Sequence, residues 1–258
     1  MIMPEMTIER AWPAVFTPFQ ARLLSDIQSA PIALRPRQQI SSGKTTGKGL
    51  LYLSSGLVGI YRLDRMGRRQ FLSLNLPGDY VDLFGFLLGH WTGIKSAFGA
   101  ATVKETSYER FQALDLQEIE INKQFWRISM IEASISRYWI FRIGRLVGRA
   151  RIANFLCEML VRLHARGLCS LDGFDVPLAQ TDIAEICGMT PVHASRMLSE
   201  LREDGICTFA QGSLRVMKLP ALFQAGQYRW DYLYLGADLD REIRERASVG
   251  PLRRRASA

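Results

Sequence analysis

Between Leu178 and Ile206 the sequence stops one helix and starts another within a few residues, and few folds accommodate that. Thr181 reads as the N-cap of the first helix, with Asp182 and Glu185 complementing its positive end. Gly188 follows Ile186 and Cys187, where a helix closes in a left-handed residue. Thr190-Pro191 then restarts a helix at once, as N-cap and first helical residue. Two helices separated by about three residues around a glycine form a helix-turn-helix.

Drawn as a wheel, the second helix buries Ala194, Met197, Leu198 and Leu201 on one face. Val192, Arg196 and Ser199 then point away, with His193 and Ser195 on the flanks. A face of small polar residues with one arginine and one exposed valine suits insertion into a DNA major groove. Arg196 can donate two hydrogen bonds to guanine O6 and N7, and Val192 can cover a thymine methyl. Thr181, Thr190, His193 and Ser195 are placed to hold phosphates, which set register without reading sequence. Downstream, Ile206 to Met217 reads as a β-hairpin turning at Gln211-Gly212-Ser213, a wing that touches backbone. The candidate DNA-binding set is therefore Thr181, Thr190, Pro191, Val192, His193, Ser195, Arg196 and Ser199, with Gln211 and Ser213 of the wing. A helical hairpin used for protein contacts is the alternative.

The rest of the chain divides by the period of its apolar residues. Residues 1–30 read as an extension with one helix starting at Thr17-Pro18. Residues 31–121 break into short strands with Gly-rich turns: 49–53, 57–63, 69–76, 97–103 and 108–114. That spacing predicts a β-sandwich or jelly roll. From 122 to 148 the period becomes helical, with Ile128, Ile131, Ile135 and Tyr138 on one stripe and Trp139, Ile143 and Leu146 on another. Two stripes on one helix of roughly 40 Å predict that it packs on its own sandwich and on a second copy of itself. Residues 149–235 hold the helix-turn-helix, and 236–258, with alternating Arg and Glu and the run Arg253–Arg255, reads as a disordered tail. The fold class expected is α+β.

The formal net charge of +8 gathers in 137–166, where seven arginines face Glu158 alone; the part from 168 onward is slightly acidic. This segment is expected to add non-specific attraction to DNA. Cys157, Cys169, Cys187 and Cys207 lie far apart without a C-x-x-C pair, and His90, His164 and His193 have no ligand spacing, so no metal site is expected. Cys187 and Cys207 flank the second helix, which leaves redox sensing open beside a plain packing role. No apolar run approaches the ~18 residues of a membrane span. The N-terminus carries acids where a signal peptide needs a basic start, so a cytoplasmic location is expected. No nucleophile–base pair or phosphate-cradling glycine loop suggests an enzyme.

Over roughly residues 30–235 the chain resembles the Crp–Fnr family of bacterial transcription regulators. The resemblance rests on Leu51-Tyr-Leu-Ser-Ser-Gly-Leu-Val-Gly-Ile-Tyr61, Leu76-Pro-Gly-Asp-Tyr80, Gly188-Met-Thr-Pro-Val-His-Ala-Ser-Arg196 and Leu201-Arg-Glu-Asp-Gly-Ile206. It implies a cyclic-nucleotide-binding-like jelly roll, a homodimer joined by the long helix, and a winged helix-turn-helix on operator DNA. It also implies an effector pocket around Asp82, Leu83, Lys95 and Ser96, and contact with RNA polymerase. The cyclic-AMP-binding members carry Gly-Glu where Asp82-Leu83 stands here, and Arg-Ser-Ala where this chain has Lys95-Ser96-Ala97. Those departures argue against cyclic AMP, because lysine cannot replace a bidentate arginine on phosphate. The N-terminal cysteine cluster that holds an iron–sulfur centre in the oxygen-sensing members is absent, which argues against that cofactor too. A sensory module acting through protein partners, with the helix-turn-helix idle, is the alternative function.

Overall fold

The structure is a computed structural model that describes residues 3–40, 49–89, 93–115 and 119–248. His90 and the run Arg253–Arg255 lie outside the described residues. The chain opens with a short helix α1 (Ile8–Ala11) and with α2 (Pro18–Asp26). Thr17 and Gln20 cap α2 reciprocally, each accepting the other's backbone N–H, at 3.2 and 3.1 Å.

Strands β1 (Ile32–Leu34), β2 (Leu50–Ser55), β3 (Val58–Leu63), β4 (Arg69–Asn75) and β5 (Tyr80–Val81) follow, then helix α3 (Leu83–Leu87), β6 (Ile94–Ala97) and β7 (Ala101–Thr106). They form two antiparallel sheets, ordered β1-β7-β2-β5 and β4-β3-β6. Between them lie Leu34, Leu51, Leu53, Val58, Val81, Ala97 and Val103, side chains from both sheets in one apolar layer. The outer face of the first sheet packs Leu50, Tyr52 and Tyr80 against the surrounding helices. The span 97–103, expected as one strand, breaks into the end of β6 and the start of β7.

Tyr108–Leu114, expected as a strand, is instead helix α4 (Tyr108–Asp115). Phe111 and Leu114 sit three residues apart and are both buried, which a helix satisfies and a strand does not. The long helix α5 spans Ile119–Arg145, and α6 (Gly148–Ala165) follows it after two residues. Then come β8 (Gly173–Asp175), α7 (Gln180–Ile186), α8 (Pro191–Glu203), β9 (Cys207–Ala210), β10 (Ser213–Val216) and α9 (Leu219–Ala225). Strands β8-β10-β9 make a small antiparallel sheet beside α7 and α8.

The expected disordered tail is corrected over its first part. Residues Ala237–Ala247 form helix α10, with Ile243 and Ala247 buried. Trp230 donates its indole N–H to Asp240 at 2.8 Å, and Arg246 reaches Asp172 at 2.7 Å. The charged residues mark the outer face of an amphipathic helix whose inner side completes a core.

The two stripes expected on α5, one for its own sandwich and one for a second copy, both lie against the chain itself, which corrects the second. Ile128, Trp139 and Leu146 are buried within the chain itself, and Ile131, Ile135, Tyr138 and Ile143 are half-buried beside them. The large apolar side chains that α5 leaves exposed are Trp126, Met130, Ile140 and Phe141. With Ala133, Arg137 and Gly144 they lie along one stripe opposite the buried face, at spacings of three and four residues.

Candidate nucleic-acid interface and sensory pocket

Helix α8 is positioned from below by its apolar face. Ala194, Met197, Leu198 and Leu201 are buried against α6 and α7, as the wheel predicts. Thr190 caps its start, accepting the His193 N–H at 3.3 Å. Gly188 turns the chain between the helices with φ +61, a conformation that disfavours a side chain. The helix therefore presents Pro191, Val192, Ser195 and Arg196 to solvent, with Val192 83% exposed. Arg196 lies 3.2 Å from the His193 ring. Ser199 is half-exposed and accepts from Arg202 at 3.5 Å.

One part of the local reading changes. Thr181 is exposed in the first turn of α7 and is not its cap. Ala179 holds the cap position, and the Asp182 carboxylate accepts its N–H at 2.8 Å. The same carboxylate, 2% exposed, takes two hydrogen bonds from Arg37 of the sandwich at 2.6 and 2.9 Å. The hairpin β9–β10 turns through Gln211 and Gly212, with φ +51 and +81, the mirror-image turn that matches strand twist. Gln211 stands exposed at its tip and Ser213 is half-exposed.

The arginines of 137–166 do not form a free basic face. Arg142 pairs with Glu158, both at most 1% exposed. Glu158 also accepts from Trp139 at 2.9 Å, Tyr232 at 2.9 Å and Arg162 at 3.3 Å. Burial pushes the Glu158 carboxyl up, but Arg142 and Arg162 outweigh it and hold the group below its ordinary value. Arg162 and Arg166 both pair with Asp79 of the Pro77-Gly78-Asp79 turn. Arg149 pairs with Asp204, and Arg151 donates to the carbonyls of Leu146 and Cys187 at 2.8 and 3.0 Å. Arg137 and Arg145 are the exposed remainder. Sequence reading missed this because Asp79 is more than eighty residues away along the chain.

In the sandwich, Asp82 and Lys95 do come together, but the position is filled, and Ser96, the next residue of β6, is buried outside that pair. The Lys95 ammonium lies 2.8 Å from Asp82, with side-chain exposures of 5% and 1%. Burial lowers the Lys95 pKa, and its hydrogen bond to Asp82 works against that fall. Asp82 adopts φ +55 and caps α3, accepting the Gly85 N–H at 3.2 Å. Leu83 is wholly buried in the layer under the helices.

The cysteines suit packing. Cys157, Cys187 and Cys207 are buried, and burial pushes the thiols of Cys169 and Cys187 up to about 12 and that of Cys207 to about 11. An iron–sulfur cluster needs thiolates gathered at one place. Among the described residues no group of three or more His, Cys, Asp or Glu is arranged to hold a metal, so these cysteines do not fit that cofactor. Among those residues, too, no helix is long and apolar enough to cross a membrane.

Residues 150–225 match the Crp-like helix-turn-helix domain family. The chain is 28% identical over 189 residues to the nitrogen fixation regulation protein FixK of Rhizobium meliloti, covering 73% of this chain and 83% of that one. It is 22% identical over 194 residues to the transcriptional activator protein FnrA of Stutzerimonas stutzeri, covering 75% and 79%. Among solved structures, FixK2 from Bradyrhizobium japonicum shares the fold with a TM-score of 0.64 at 22% identity, over 76% of this chain and 96% of that one. A CRP-family regulator from Thermus thermophilus shares it with a TM-score of 0.54 at 21% identity, over the same shares of the two chains.

Proposed function

From the premise that the chain belongs to the Crp–Fnr family of DNA-binding transcription regulators, we propose that it acts in the cytoplasm as a homodimer on a twofold-symmetric operator. The observation that carries the reading is the outer face of α8, where Val192 and Arg196 stand clear of a packed inner face. Arg196 reads a guanine and Val192 a thymine methyl. Thr181, Thr190, Pro191, His193, Ser195 and Ser199, with Gln211 and Ser213 of the wing, lie against the backbone and set register. The exposed stripe Trp126, Met130, Ile140 and Phe141 on α5 is the seam between the two copies. RNA polymerase is the expected further partner.

Cyclic AMP does not suit the sandwich, because Lys95 is already committed to Asp82 at the place where a nucleotide phosphate would need a cation. Selection from random duplexes should return half-sites about 34–36 Å apart, centre to centre. Arg196→Ala should cost about 1–3 kcal/mol of binding and relax one position per half-site. Unchanged affinity and selectivity in that variant would overturn the assignment of α8. Binding by wild type should also weaken steeply with added salt.

A further inference from the structure

Between the inner face of α5 and strand β4 lies a cavity of about 510 Å³, within the range of small-molecule sites. Residues 11–15 and 233–239 line it as well. Leu74, Ile131, Ile135, Trp139 and Leu235 give it apolar walls. Its charged lining is almost wholly spoken for. Arg162 and Arg166 are paired with Asp79, Asp82 with Lys95, and Arg127 donates to the Ala14 carbonyl at 3.1 Å from an exposed position.

Glu132 is different. It projects from the inner face of α5 into this space, and its carboxylate has no hydrogen-bond or ion-pair partner among the described residues. Glu132 is half-buried, so its carboxylate faces the cavity and can be met from it. Burial pushes the Glu132 carboxyl well up, with Asp79 reinforcing, Arg162 opposing, Asp82 reinforcing and Arg166 opposing. A cation brought to it would restore the charged form and gain a charge-assisted hydrogen bond. An anion would meet that carboxyl, and Arg127, held to a carbonyl from an exposed position, is the cation of this lining that no carboxylate pairs among the described residues.

We propose that this cavity is the effector site, taking an apolar molecule that carries one protonated amine held by Glu132. The inference rests on the regulator reading and names the ligand class for it. Asp82 lines the cavity while paired with Lys95, and a ligand would lie against α5, the helix proposed to join the two subunits. A ligand there touches the inner side of α5 while the seam of Trp126, Met130 and Ile140 lies on the outer side.

The test uses the full-length protein and three fluorescent probes that share one aromatic body: dansylcadaverine with its primary amine, the neutral N-pentyl dansylamide, and the carboxylate dansyl-6-aminohexanoate. Dansylcadaverine should bind once per chain and about tenfold or more tighter than the other two, the value of one charge-assisted hydrogen bond. Glu132→Gln should erase that preference while leaving the neutral probe unchanged. Ile135→Trp, which fills the cavity, should abolish binding of all three, with its thermal unfolding followed to confirm that it folds. Three outcomes would overturn the proposal: no preference for the amine, a preference that survives Glu132→Gln, or undiminished binding by folded Ile135→Trp. Arg196→Ala is run in parallel. Lost operator binding by folded Arg196→Ala supports the α8 reading whatever the dyes do, and unchanged operator binding sinks it without touching the dye result, so the two readings fail separately.

Discussion

Two clusters of charge join the sandwich to the helix-turn-helix unit, and they differ in solvent more than in composition. At α6, Glu158 and Arg142 are at most 1% exposed, and Asp79 and Arg162 about 9–10%. At α7, Arg37 is 48% exposed opposite a buried Asp182, while Arg69 and Glu185, 2.9 Å apart, are 33% and 30% exposed. Low dielectric makes the first cluster intolerant of losing any member. Screening by water and salt makes the second weak and replaceable. The first therefore fixes α5 to α6 to the turn at Asp79, and the second is a contact that can open without unfolding either side.

Glu158→Ala is the most severe way to break that contrast. It strands Arg142 in the interior, leaves Arg162 to Asp79, and should cost about 3–5 kcal/mol in urea unfolding. A loss below about 1 kcal/mol would mean that the buried cluster is no stiffer than a surface one. Asp182→Ala should cost less, about 1–2 kcal/mol, because it removes a helix cap together with a half-solvated pair. Its informative readout is faster hydrogen exchange confined to α7 and its neighbours, and 1 M salt should mimic that loosening in the wild type without touching α6.

The smallest effect is a pH slope. Glu132 has a folded pKa raised by burial above its ordinary 4.5, so the folded chain keeps a proton that the unfolded chain releases. That contribution is fully present below the ordinary value and is lost as pH rises through the raised one. Stability of the ligand-free wild type should fall over that window, and Glu132→Gln should flatten the fall. An unchanged slope in the variant would place the titration on another group.

The helix-turn-helix was legible because its signals are local. Gly188 and Thr190-Pro191 specify backbone angles and a cap whatever surrounds them, and the wheel of α8 needs only one buried side. Helix α5 was less legible because it is apolar on several sides. Periodicity found the stripes through Ile128 and Trp139, but cannot tell burial within a chain from burial between chains, and the exposed stripe through Trp126 and Ile140 went unread. The arginine-rich segment misled for a related reason. Its charge is matched by Asp79 and by one glutamate, Glu158, that serves two arginines at once. Thr181 lost the cap to Ala179 because Asp182 reaches back from the third helical position.

Helix α10 has a practical corollary for anyone excising the C-terminal portion. The family match ends at 225, yet Tyr228, Trp230, Leu233, Ile243 and Ala247 belong to the same apolar cluster as α6 and α8. Tyr232 stacks on Tyr138 at 3.8 Å, and His164 of α6 meets Glu242 at 3.0 Å. A fragment cut at 225 or 235 would bare an aromatic surface and sediment as aggregate, whereas one running to 248 carries its own lid.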